Sequence, residues 1–83
     1  MPHYHFHLHE CGVATLDHEG SAYDSLESAR KAAVTAARGI MCEEIRAGQL
    51  CLSCHIDIVD EGDECLLRLR FSDAVAVTGL PAR

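Results

Sequence analysis

The stretch His3–Glu10, HYHFHLHE, sets a histidine at every second position with a tyrosine, a phenylalanine and a leucine between them. A period of two belongs to a strand with unlike faces, so Tyr4, Phe6 and Leu8 are expected on a buried side and His3, His5, His7 and His9 on a wet one. Further along, Val13–Asp17 alternates in the same way. A hairpin with Glu10, Cys11 and Gly12 as a three-residue loop, Gly12 supplying the left-handed conformation, sets Phe6 opposite Leu16 and Leu8 opposite Ala14. On the other face His9 then lies across from Val13, His7 from Thr15 and His5 from Asp17.

The segment DHEGSAY, residues 17–23, reads as a polar turn. Ser25 suits the N-cap of a helix from Leu26 to Ala47, with Glu27 near the positive end of the dipole and Gly48 as the stop. Leu26, Ala29, Ala33, Ala36, Ala37 and Ile40 fall on one stripe of that helix, and Glu27, Lys31, Thr35, Arg38 and Arg46 on the opposite side. An alanine-rich stripe lets the helix lie close on the face of Tyr4, Phe6 and Leu8. A second hairpin joins HIDIVD (55–60) to CLLRLRF (65–71) through Glu61, Gly62, Asp63 and Glu64, with Gly62 and Asp63 forming a two-residue primed turn. Its register pairs Ile58 with Leu67 and Ile56 with Leu69 inside, and Asp57 with Arg68 and His55 with Arg70 outside. Residues 72–83 are expected to add a short strand or turn with a mobile end.

The elements assemble into an α+β fold: two layers in the order β-β-α-β-β, a four-stranded, mainly antiparallel sheet with one long helix packed on one face, in a single domain over residues 1–83. The other face stays open. It displays His3, His5, His7, His9, Thr15, Asp17, His55, Asp57, Arg68 and Arg70, too polar a set for a second core.

Composition narrows the function classes. The chain has 83 residues, 48% of them hydrophobic, with only two Tyr, two Phe and no Trp, so aliphatic side chains must fill one small core. A formal charge of −6 repels nucleic acid and anionic lipid. No run is apolar and long enough for a membrane span, and no secretory signal opens the chain, so a cytoplasmic location with the five cysteines as thiols is expected.

Histidines at i and i+2 on a strand point the same way and can chelate zinc, nickel or copper. His3 and His9 are about 20 Å apart along an extended strand, however, so the row cannot share one ion. Neighbouring pairs would bind separately, borrowing ligands such as Asp17, His18, His55 or those of a second chain. The alternative is a solvated strand face that carries histidines. CLSCH, Cys51–His55, spells the haem c attachment pattern, yet it leads straight into a strand of a chain expected to stay in the cytosol, so haem is set aside. A zinc knuckle from the same residues lacks a second Cys-x-x-Cys. Cys54 and His55 are consecutive strand residues facing opposite ways and cannot form a nucleophile–base dyad. Cys42 reads as a surface thiol, and Cys54 and Cys65 as small core residues. Asp57, Arg68 and Arg70, with His55, can hold an anion or simply solubilise the sheet.

Taken together, MPHYHFHLHE, DHEG, DSLESARKAA and IDIVDEGDECLLRLRFSDAV resemble a family of small bacterial proteins catalogued only as a domain of unknown function. Tyr4, Phe6, His7, Glu19, Gly20, Leu26, Ala29, Arg30, Phe71, Asp73 and Ala74 carry the resemblance over nearly the whole chain. It implies the fold and no activity. The chain departs from the family pattern at His3, His5, His9, Cys51, Cys54 and Cys65. The expectation is a non-catalytic binding module without a cofactor, acting on a protein partner or as a homodimer through the open face or a strand edge. Its rival is binding or sensing of a divalent transition metal through His3, His5, His7, His9 and Asp17. A third reading follows from the strand-strand-helix start, which is similar to antitoxin domains that neutralise a small ribonuclease.

Overall fold

The computed structural model describes residues 1–79 and has the α+β architecture the patterning predicts. In chain order the strands are β1 (His3–Glu10), β2 (Val13–Thr15), β3 (Ser21–Ala22), β4 (His55–Val59) and β5 (Cys65–Arg70), with the helix α1 (Leu26–Arg46) between β3 and β4. The sheet order is β2-β1-β4-β5, and β3 pairs with the other end of the β1 margin that β2 occupies. Every pairing is antiparallel. β3 is an addition to the expected strands: DHEGSAY is a turn only as far as Gly20, after which Ser21 and Ala22 pair with Tyr4 and His3.

The two faces of β1 are as the alternation requires. Tyr4 is buried, and Phe6 and Leu8 pack against the core, while β4 contributes Ile56 and Ile58 to the same side. The first hairpin differs from expectation by one residue. Its loop is Cys11–Gly12 alone, both with positive φ (44° and 83°), which is the requirement of a type I′ turn. Leu8 therefore pairs with Thr15 and His9 with Ala14. A slip of one residue turns every side chain of β2 over. Leu16, expected in the core, is 50% exposed, and Val13 is 65% exposed.

The second hairpin has the predicted register from His55–Arg70 to Ile58–Leu67, then shifts at Val59, which pairs with Cys65 and leaves Leu66 bulged. The turn is not the two-residue one. Asp60 N–H donates to Glu64 O and Asp63 N–H to Asp60 O, so Glu61, Gly62 and Asp63 form the loop. Asp63, not Gly62, takes the left-handed conformation (φ 64°). The Asp60 carboxylate accepts from the N–H groups of Gly62 and Glu64, which stabilises this longer loop.

Ser25 caps α1 by accepting from Ser28 N–H. At the other end Gly48 (φ 87°) closes a Schellman motif: Gly48 N–H donates to Ile45 O and Gln49 N–H to Glu44 O. The buried stripe is Ala29, Ala33, Ala37 and Met41, a single row at a spacing of four. Leu26 and Ala36, expected on it, are exposed, and Ile40 is only half-buried. A row of spacing four winds about 40° round the axis at each step, so the stripe drifts away from Leu26 and Ala36 and ends on Met41.

The largest fully buried side chain is Phe71, expected as the last residue of the second-hairpin strand but lying just beyond it. Phe71–Asp73 form a 3-10 turn, and Phe71 is 0% exposed, with its N–H donating to Cys54 O. Arg38, on the expected solvent side of α1, reaches across to donate to Ala74 O at 2.7 Å. Residues 80–83, included in the predicted strand or turn, lie outside the described residues. Among the described residues no helix is long and apolar enough to cross a membrane.

Candidate functional site

On the open face the first three histidines are engaged by the turn between β2 and β3. His3 Nε2 lies 2.8 Å from Glu19 O. His5 Nδ1 lies 2.8 Å from Asp17 O, and its Nε2 2.7 Å from Glu61 Oε1. Both partners of His5 are acceptors, an arrangement that favours the doubly protonated ring. Its pKa is raised accordingly, first by the Glu61 carboxylate and then by the Asp17 carbonyl. His7 Nδ1 accepts from Asp17 N–H at 3.1 Å.

Asp17 itself bridges a gap in the sheet. Its Oδ2 accepts from Phe6 N–H between the stretches of β1 paired by β2 and β3, and its Oδ1 accepts from Gly20 N–H. Burial raises its pKa, but the two amides and the nearby His5 and His7 outweigh that, and the carboxyl sits below its usual range. Gly20 (φ 70°) fits because it lacks a side chain: a Cβ there would lie 2.8 Å from His3 Cδ2, His5 Cε1 and Tyr4 O. Among the described residues, no set of three converging ligand atoms includes His3, His5, His7 or Asp17. The predicted metal row is therefore, over most of its length, the binding surface for the protein's own turn.

At the far end of the face, His9 stacks on His55 with centroids 4.6 Å apart. Asp57, only 7% exposed, lies beneath them, with Oδ2 3.4 Å from His9 Nε2 and Oδ1 3.9 Å from His55 Nε2. The Arg68 guanidinium grips the same carboxylate at 2.8 and 3.2 Å, the cross-strand pair expected from the register. Burial raises the Asp57 pKa, and Arg68 with the two imidazoles more than reverses it, so the net shift is downward. His55 Nε2 is buried without a hydrogen-bond partner, and burial together with Arg68 lowers the pKa of that ring. Arg70 pairs with Asp73 instead of reaching over His55. His9, His55 and Asp57 can converge on one ion, but Arg68 already neutralises the carboxylate.

The densest set of soft ligands lies on the opposite side of the same end. The type I′ turn presents Cys11, and the loop after the Schellman motif presents Cys51 and Cys54. Cys51 Sγ is 2.7 Å from Cys54 Sγ and 3.8 Å from Cys11 Sγ, and the three sulfurs lie within 4.8 Å of one another. Carboxylate oxygens of Glu10, from the end of β1, and Glu44, from the last turn of α1, lie within 4.8 Å of Cys54 Sγ and of each other. Glu44 also accepts from Cys51 N–H at 3.4 Å. The thiols are unlike. Hydrogen bonds from Cys54 and Ser53 lower the Cys51 pKa to about 7, whereas burial and the neighbouring Cys51 push Cys54 up to about 12. Cys11 is raised by its bond to Cys51.

Of the remaining cysteines, Cys42 is exposed as expected, and Cys65 is exposed against expectation because the bulge at Leu66 sets it opposite Val59, out of step with the inward-facing Leu67 and Leu69. Sequence reasoning found Cys51 and Cys54 and dismissed them for want of further ligands. It missed Cys11, Glu10 and Glu44. The available signal was the Cys-Gly pair, since a two-residue turn there carries Cys11 to the end of the sheet where Cys54 enters β4.

Residues 3–72 match the model of a family described as a domain of unknown function, DUF6894. No curated protein and no solved structure matches the chain. The chain belongs to the DUF6894 family, and all three clustered cysteines fall inside the matched span.

Proposed function

We propose that this domain binds a thiophilic divalent ion, zinc by preference, through Cys11, Cys51 and Cys54, with Glu44 or Glu10 completing the shell. The observation that carries this reading is the meeting of three sulfurs from two separate loops. Zinc–sulfur bonds of about 2.3 Å in a tetrahedron place two thiolates about 3.8 Å apart. Cys11 and Cys51 already stand at 3.8 Å, and Cys54 has to withdraw about 1 Å from Cys51. Thiolates with one carboxylate suit zinc in charge and softness, while calcium and magnesium prefer all-oxygen sites. The net charge of −6 attracts a cation.

Binding must displace the thiol protons, Cys54's above all, so affinity falls as the pH falls. The metal reading derived from the histidine row thus persists with a different ligand set. Cobalt(II) titration of reduced protein tests it: tetrahedral d–d bands with thiolate charge transfer are expected, and zinc should abolish them. Cys51→Ser should lose the signal, while the double variant His5→Ala, His7→Ala should retain it. Octahedral cobalt spectra, or dependence on His5 and His7, would overturn the assignment.

A further inference from the structure

Cys51 and Cys54 also differ in access. Cys51 is half-exposed at the loop surface, and Cys54 is 2% exposed behind it. Their sulfurs stand 2.7 Å apart, so a further approach of about 0.7 Å brings them to the disulfide length of about 2.05 Å. We propose that, when free of metal, the pair exchanges with small disulfides, Cys51 as the attacking sulfur and Cys54 as the resolving one. This uses sulfurs assigned above to the ion but does not require that an ion ever binds.

The steps balance as follows. The Cys51 thiolate attacks one sulfur of a disulfide RSSR, forming a mixed disulfide and expelling RS⁻, which takes a proton from water. Cys54 then gives up its proton and attacks the Cys51 sulfur, breaking the sulfur–sulfur bond to the RS group, which leaves as RS⁻ and takes up a proton to become the second thiol. The protein loses two hydrogens, and RSSR becomes two RSH. The Glu10 and Glu44 carboxylates within 4.8 Å of Cys54 Sγ are placed to receive the proton that the second step must remove. Burial keeps external disulfides away from Cys54, which fixes the order of attack.

Chelator-treated, reduced full-length protein incubated with oxidised glutathione tests the proposal by acid quench, intact mass and peptide mapping. Wild type should acquire a Cys51–Cys54 disulfide without lasting adducts, at least about tenfold faster than exposed Cys42 is glutathionylated. Cys54→Ser should accumulate the adduct on Cys51, and Glu44→Gln should slow its resolution in an otherwise wild-type chain. Adducts spread evenly over Cys11, Cys42, Cys51 and Cys65, or a Cys11–Cys51 disulfide in wild type, would overturn it. The wild-type mapping needs no variant to fold. Because no metal is present, its failure leaves the cobalt result standing, and a failed cobalt titration leaves the exchange result standing.

Discussion

In the first half of β1, His3, His5 and His7 face a turn of their own chain, and the contacts of their ring nitrogens are with Glu19, Asp17 and Glu61. Just past its other end, Cys11 faces a loop 40 residues further along, and its sulfur meets two more sulfurs. The first group is conspicuous in one dimension and consumed in three. The second is scattered in one dimension and assembled in three. Ligand chemistry in a small fold depends on which donors the backbone leaves free, and the row nearest its own turn is engaged first.

The sharpest way to break this comparison is at the glycines of the two turns. Gly20→Ala meets a backbone carbonyl and two imidazoles at 2.8 Å besides a positive φ, whereas a Cβ at Gly12 has nothing within 4 Å. Gly20→Ala should cost about 2–4 kcal/mol and Gly12→Ala about 1 kcal/mol, read from urea midpoints. Equal losses would mean that the histidine row does not hold the turn. Next, Asp17→Ala strands the amides of Phe6 and Gly20, a loss of about 1–3 kcal/mol at neutral pH. With its folded pKa depressed, Asp17 contributes stability above 3.8 that disappears as the pH falls through the folded value. The gap between variant and wild type should therefore narrow in acid.

The smallest effect concerns His5. Its raised pKa makes its contribution complete below 6.5 and lost as the pH rises through the folded value. Glu61→Gln removes the larger of the two causes, so the His5 titration followed by NMR should move down toward 6.5. An unmoved titration would separate Glu61 from the ring.

Faces were legible in the sequence because alternation and a helical stripe report burial directly: Phe6, Ile56, Ile58, Leu67 and Leu69 pack where their parity puts them. Turns were not, because one residue more or less leaves the pattern intact. Cys11 joins Gly12 in the left-handed backbone, and Asp63 takes it where Gly62 does not. The thiol cluster was illegible for the same reason, since it depends on the register of the first hairpin and on the sheet order. Phe71 continues the period-two run of Leu67 and Leu69, so its inward side was legible, but no repeat announces that β5 stops at Arg70 and that Phe71 opens a 3-10 turn.

The outer margin of β1 is covered in two pieces, three residues of β2 and two of β3, with the Asp17 carboxylate capping the amide between them. A foreign strand approaching that side meets no unbroken ladder of free amides and carbonyls. The opposite margin, β5, carries a bulge and two arginines. Both borders of this small sheet thus bear features that discourage copies from stacking into fibres.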